Sequence, residues 1–238
     1  MKTSLIKKSL PVAAVLALIA AITIPASANA AATRYITVNA EGTVKITPDA
    51  VRLNATVSVV ATTNKEALAQ TSSAAAAVRK ALIAAKISTK DIATQNITAY
   101  PEYKYETNGS STAIGYRGSQ SFNVVIRATS TAGAVVDAVV AAGGDAVQIN
   151  SVSPFILDAS KAAESARAVA VKNAKAKASS YAKLLGVALG KVNYLTENGS
   201  PSITPPLYAS AAKTESDATV VDLGRQDVTV SITVQWAL

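Results

Sequence analysis

The chain has 238 residues, half of them hydrophobic, with 23 basic and 15 acidic groups and a net charge of +8, yet it contains neither histidine nor cysteine. Those two absences exclude thiol nucleophiles, Ser-His-Asp chemistry, histidine general bases and zinc or copper sites of ordinary ligand type. They also exclude disulfides and a lipid-bearing cysteine, so packing alone must hold the fold.

The first thirty residues read as a cleavable export signal. Lys2, Lys7 and Lys8 form a cationic start, residues 12–24 form an uncharged apolar run, and Pro25 closes it. Ala28-Asn29-Ala30 supplies the small-x-small pattern of a signal peptidase site, which places the cut after Ala30. The apolar run is shorter than the roughly 20 residues of a comfortable bilayer span, which weighs against a retained anchor. Cleavage leaves 208 residues with 20 basic and 15 acidic groups, a net charge of +5. No stretch interleaves closely spaced Arg and Lys with aromatics, so the charge suits solubility better than nucleic-acid binding.

In the remaining chain, taken as one domain over residues 31–238, residues 51–59 alternate apolar and polar, the period of a strand with one face on a core. Residues 36–46 alternate more loosely, and Gly42 inside that pattern suggests a bulge. Pro48-Asp49 reads as the turn of a β-hairpin formed by these two strands.

Thr63-Asn64-Lys65-Glu66 is a capping-box pattern that opens a helix to about Lys86, with Ala67, Thr71, Ala74, Val78, Leu82 and Ala85 on its core stripe. Short alanine side chains let such a helix approach a sheet closely, although each buries little area. Residues 92–105 and 116–128 read as two further strands, joined by a polar loop with an Asn108-Gly109 turn signal.

Residues 131–142 predict a short helix ending at Gly143-Gly144. Residues 147–156 predict a strand whose Pro154 favours an edge or a strand end. Asp158 is a good N-cap residue for the longest helix, which runs to Leu185 and stops at Gly186. Its core face is read as Ala163, Ala166, Ala170, Ala174, Ala178, Tyr181 and Leu185, with Lys161, Ser165, Lys172, Lys175, Ser179 and Lys183 opposite. That lysine face reads as solvated, because an interfacial helix carries bulky apolar anchors that this reading leaves it without.

A strand over residues 191–196 precedes a Ser-, Pro- and Thr-rich stretch, about 197–217, that reads as a long exposed loop. The closing run Val228, Val230, Ile232, Val234 and Trp236, alternating with polar residues, is the strongest strand signal in the chain. The whole order predicts an α+β fold: a mainly antiparallel sheet with helices packed on one face.

Residues 36–42 (ITVNAEG), 45–49 (KITPD), Tyr100-Pro101-Glu102-Tyr103, Gly115-Tyr116-Arg117, 148–152 (QINSV), the Ala/Lys helix and Gly190-Lys191-Val192 together resemble the SIMPL-domain family, over nearly all of residues 35–238. That family includes bacterial periplasmic immunogenic proteins and oxidative-stress-related envelope proteins. The resemblance implies an α+β fold and, from one bacterial member, a large channel-like homo-oligomer, with no catalytic set attached. Ala40 stands where the family usually has a glycine before its Glu-Gly.

Tyr100, Tyr103, Tyr105 and Tyr116, with Arg117, gather on one predicted hairpin and form the candidate interface or ligand platform, beside the plainer reading of strand packing. Arg117 is expected to pair with a carboxylate such as Glu41 or Glu102, in a structural role. Acidic residues are too scattered for paired-carboxylate hydrolysis, and Gly143-Gly144-Asp145 lacks the context of a phosphate loop. The expectation is an exported, non-enzymatic protein of the periplasm, envelope or extracellular space, without cofactor, metal, nucleic-acid partner or membrane span after cleavage. It self-associates through sheet edges and the tyrosine hairpin in a structural or stress-protective role. The alternative is a small-molecule or peptide-binding module.

Overall fold

The computed structural model describes residues 34–107, 109–204 and 218–238. The expected export signal with Ala28 and Ala30, and residues 205–217 of the Pro-rich loop, lie outside the described residues.

The strands fall into two antiparallel sheets of four rather than one. The first joins β1 (Tyr35–Ile46) to β8 (Gln226–Ala237), with β6 (Val192–Glu197) and β7 (Ser202–Thr204) end to end along the other side of β8. The second has the order β3 (Ile92–Tyr105), β4 (Ser111–Ile126), β2 (Ala50–Ala61), β5 (Val147–Phe155). The expected hairpin of the first two strands therefore does not form. β1 pairs with β8 from Tyr35↔Ala237 to Ile46↔Gln226, and the chain changes sheet within three residues to start β2. Alternation reports which face of a strand is buried and is silent about its neighbour, so a short link alone does not make a hairpin.

Each sheet buries one face under its own helices. Helices α1 (Asn64–Ala84) and α2 (Ala132–Gly143) cover the second sheet around Leu53, Val57, Phe122, Val124 and Ile126. Helix α3 (Ser160–Leu184) covers the first, packing on Val38, Val230, Ile232, Val234 and Trp236. A smaller cluster of Ile156, Ala162, Ala163 and Val228 shares Val44 with the core of the first sheet.

Helix and sheet meet at glycine. A Cβ on Gly42 would lie 2.1 Å from the Ala166 carbonyl oxygen and 2.3 Å from the Ala170 nitrogen, so the backbone of α3 passes directly over β1 there. Gly118 of β4 is its counterpart under α1, where a Cβ would lie 2.6 Å from the Ala67 carbonyl and 2.5 Å from Oγ1 of the buried Thr71. The bulge expected at Gly42 is absent, since the β1–β8 register runs through it without a shift. The glycine provides space instead.

Thr63 caps α1 as read, its Oγ1 accepting the Glu66 amide at 3.2 Å. Asp158 sits one residue before the cap position, which Ala159 holds, and accepts the Ser160 amide at 2.9 Å. On α1 the buried stripe is Ala67, Thr71, Ala75, Val78 and Leu82. On α3 it is Ala162, Ala163, Ala166, Ala170, Ala174, Ala178 and Ala182, a four-residue row of the kind that packs with an inclined axis. Tyr181 and Leu185, read as core, are instead exposed. Gly186, at φ 68°, ends α3 with its amide on the Lys183 carbonyl and the Val187 amide on that of Ala182.

Pro154 lies near the end of β5, an edge strand, as its chemistry requires. The polar loop after β3 is shorter than read, since β4 begins at Ser111, and the Ser/Pro/Thr-rich stretch contains β7.

Replacing Gly42 with alanine sets a methyl group against main-chain atoms that no side-chain rotation can move, and is expected to cost about 3 kcal/mol. Urea unfolding should show the midpoint falling by about 1 M or more with an unchanged slope.

Candidate functional site

β3 and β4 extend beyond the sheet that roots them. β2 pairs with β4 only as far as Ala61↔Tyr116, whereas the β3–β4 ladder continues to Tyr105↔Ser111. The distal part is therefore a two-stranded ribbon. At its root the register shifts between Glu102 and Tyr103, leaving Ile114 unmatched, and a bulge of this kind sharpens the local twist. Gly115 sits beside it at φ 143°, and a Cβ there would lie 2.6 Å from the Ala61 carbonyl, so the end of β2 abuts the ribbon where only glycine fits.

The sheet's geometry divides the candidate residues. Tyr100 and Arg117 are directly opposed and share the face turned away from the helices. Tyr103 and Tyr116 line a shallow groove of about 360 Å³ with Thr62, Pro101 and Ala113. Tyr105, near the ribbon tip, is 78% exposed. The platform is thus split between the two faces of the β3–β4 hairpin, with apolar Ile114 exposed on the ribbon and Ile97 exposed nearer the root of β3.

Arg117 fastens the root of the ribbon. Its Nε and Nη2 donate to the Glu102 carboxylate at 2.8 and 2.7 Å, and its Nη1 donates to Ser58 Oγ at 3.1 Å, tying β3, β4 and β2 together. Glu41, the other expected partner, lies in the other sheet opposite Ser231. The paired hydrogen bonds from Arg117 hold the Glu102 carboxyl below its ordinary pKa, and in return raise that of the guanidinium.

Beyond this clamp the open face carries a ladder of small polar side chains. Asn123 donates to Asn54 at 3.0 Å and Asn54 to Ser151 at 2.9 Å. Thr56 bonds Ser121 at 3.0 Å and accepts from Asn150 at 2.8 Å, and Ser119 reaches Ser58 at 3.2 Å. The polar half of the β2 alternation was visible in the sequence. The cross-strand partners were not, because they depend on which strands are neighbours.

A second bidentate pair, Arg127 to Asp91 at 3.0 and 2.8 Å, secures the start of β3 against the end of β4 and holds the Asp91 carboxyl below its usual value. Both pairs serve the hairpin's geometry.

Comparison with known proteins identifies the class. Residues 36–236 match the SIMPL family, described as a protein of unknown function (DUF541), and the chain belongs to that family. It is 29% identical over 216 residues to the 26 kDa periplasmic immunogenic protein of Brucella melitensis biotype 1, covering 85% of this chain and 84% of that protein. The protein of the same name from Brucella abortus strain S19 matches to the same extent. The uncharacterized protein YggE of Edwardsiella ictaluri is 30% identical over 128 residues, about half of each chain.

The clamp gives a signed pH dependence. Because the folded Glu102 pKa is depressed, its contribution is fully present above the unfolded glutamate value of about 4.3 and is lost as pH falls through the folded value. In urea titrations, wild type should exceed Glu102→Gln by a constant margin from pH 7 to 5, and the margin should close as pH drops below about 4.

Proposed function

We propose that this chain is an exported, non-enzymatic protein of the cell envelope that assembles with copies of itself through the β3 edge and its tyrosine-bearing ribbon, in a structural or stress-protective role. The periplasmic relatives and the leader-like first thirty residues support export.

One observation carries the assembly reading: β3 is the long strand edge left open. It runs 14 residues, pairs among the described residues only with β4, and exposes Ile97, Tyr100, Tyr103 and Tyr105. The other edges are blunted. On β1, Asn173 and Lys177 of α3 donate to the Glu41 and Asn39 carbonyls at 2.8 and 3.1 Å. Residues 219–222 border a hollow with Val152 and Pro154 of β5, and Asp137 of α2 anchors them by accepting from the Thr219 hydroxyl at 2.6 Å. β6 and β7 are 6 and 3 residues long. A row of unpaired amides and carbonyls on a long strand accepts another strand, and aromatic side chains are enriched where protein surfaces meet. Pro101 lacks an amide and divides that edge, which favours a defined joint over open-ended pairing.

Light scattering on the exported protein at micromolar concentration should give a mass of several subunits, and Ile97→Lys with Tyr103→Lys should reduce it to one. A wild-type protein that is strictly monomeric removes this reading.

A further inference from the structure

The end of the first sheet opposite the Gly42 crossing carries a surface that the sequence pattern concealed. Helix α3 runs antiparallel to β1: Ala166 and Ala170 lie over Gly42, Asn173 reaches Glu41 and Lys177 reaches Asn39. The carboxyl end of the helix therefore arrives where β1 begins and β8 ends, since Tyr35 is paired with Ala237. Val192, the first residue of β6, joins the same end opposite Trp236, and the Gly190 amide donates to the Ala237 carbonyl at 2.8 Å.

Large apolar side chains collect there without cover. Leu184 is 79% exposed and Leu185 65%, with Tyr181, Val192 and Tyr35 about half exposed around them. Tyr181 and Leu185 are the two residues that the helical stripe assigned to the core. The buried row instead advances in steps of four to Ala182, which turns them outward. The absence of bulky anchors, the reason for reading the lysine face as merely solvated, does not hold at this end.

Positive charge runs along the same helix and into the strand that follows it. From Lys172 to the end of α3 the helix has four lysines and no acid, and Lys191 follows the turn. Lys175, Lys191 and Val192 line one hollow of about 620 Å³ with Trp236, so the cations of helix and strand converge. Among the described residues, no carboxylate lies within ion-pairing distance of Lys172, Lys175, Lys183 or Lys191. Leucine and tyrosine anchors that share a helix and the following turn with lysines lacking a carboxylate partner are complementary to a bilayer face that presents anionic headgroups above an apolar interior. The described chain also enters the fold at this end, at Tyr35.

We infer that this end of α3, with Tyr35, Val192 and Lys191, docks peripherally on anionic phospholipid membranes, Leu184 and Leu185 entering the headgroup boundary and the lysines meeting the phosphates. The contact lies on the first sheet, away from the β3 edge, and does not depend on self-assembly. No crossing of the bilayer is implied, and among the described residues no helix is long and apolar enough to make one.

Co-sedimentation of the exported protein with vesicles tests it. Vesicles of equal phosphatidylglycerol and phosphatidylcholine should retain the protein at low salt, and pure phosphatidylcholine vesicles should not. Leu184→Asp with Leu185→Asp should weaken partitioning at least about tenfold. Each of Lys175→Gln, Lys183→Gln and Lys191→Gln should weaken it about fivefold, an effect that rising salt erases. All five side chains are exposed, so circular dichroism melts should match wild type. The inference is overturned by equal sedimentation with neutral and anionic vesicles, by binding to neither, or by unchanged vesicle binding in a Leu184/Leu185 variant whose light-scattering mass has fallen. That last result would assign the surface to a second copy of the chain.

Discussion

The structure depends on how closely an alanine-faced helix can approach a strand. Over Gly42 the main chain of α3 occupies the place of a side chain, and over Gly118 that of α1 does the same. Helices held this near a sheet leave room for little more than methyl groups, which is why the buried row of α3 is alanine from end to end. Each alanine contributes little apolar area, so the contact is spread along twenty residues and more, and stability comes from its length. In a chain without disulfides this packing is the main tie between layers.

The same constraint places the surfaces available for function. With α3 lying flat on β1 and β8, its Asn173 and Lys177 come within reach of the free carbonyls of β1 and close that edge. With α1 and α2 on the second sheet, the opposite face stays open and fills with a ladder of Ser, Thr and Asn side chains that satisfy one another across strands. Among the described residues β3 remains the long uncovered edge, stiffened by Arg117–Glu102 at the ribbon root and Arg127–Asp91 at the strand's start. Both pairs are charge-assisted and bidentate, the geometry that fixes orientation best.

Membership of the SIMPL family brings relatives named as periplasmic proteins. The site itself offers side chains suited to positioning and contact: tyrosines on both faces of a hairpin, an edge with free main-chain groups, and a clamp whose arginine is committed to its carboxylate partner. The proposed assembly edge and the proposed docking surface belong to different sheets, so substitutions can test them separately.

Local patterns were legible where a residue's neighbours in sequence decide its state. The alternation of β8, the cap at Thr63, the stop at Gly186 and the edge placement of Pro154 follow from pleat, capping and φ restrictions that act within a few residues. The α+β class follows from their order. Strand partners were not legible: residues 36–46 alternate equally well beside β2 or β8, and only the covering of each sheet by its own helix selects β8. Tyr181 and Ala182 both satisfy helical spacing after Ala178, and the inclination of α3 across the sheet, a property of two packed elements, buried the alanine and left the tyrosine outside. The sequence by itself determined the elements and their polarity, because those are set by short-range sterics and burial. The tertiary structure alone decided the pairing, the open edge and the exposed apolar end, because these arise from contacts between residues far apart in the chain.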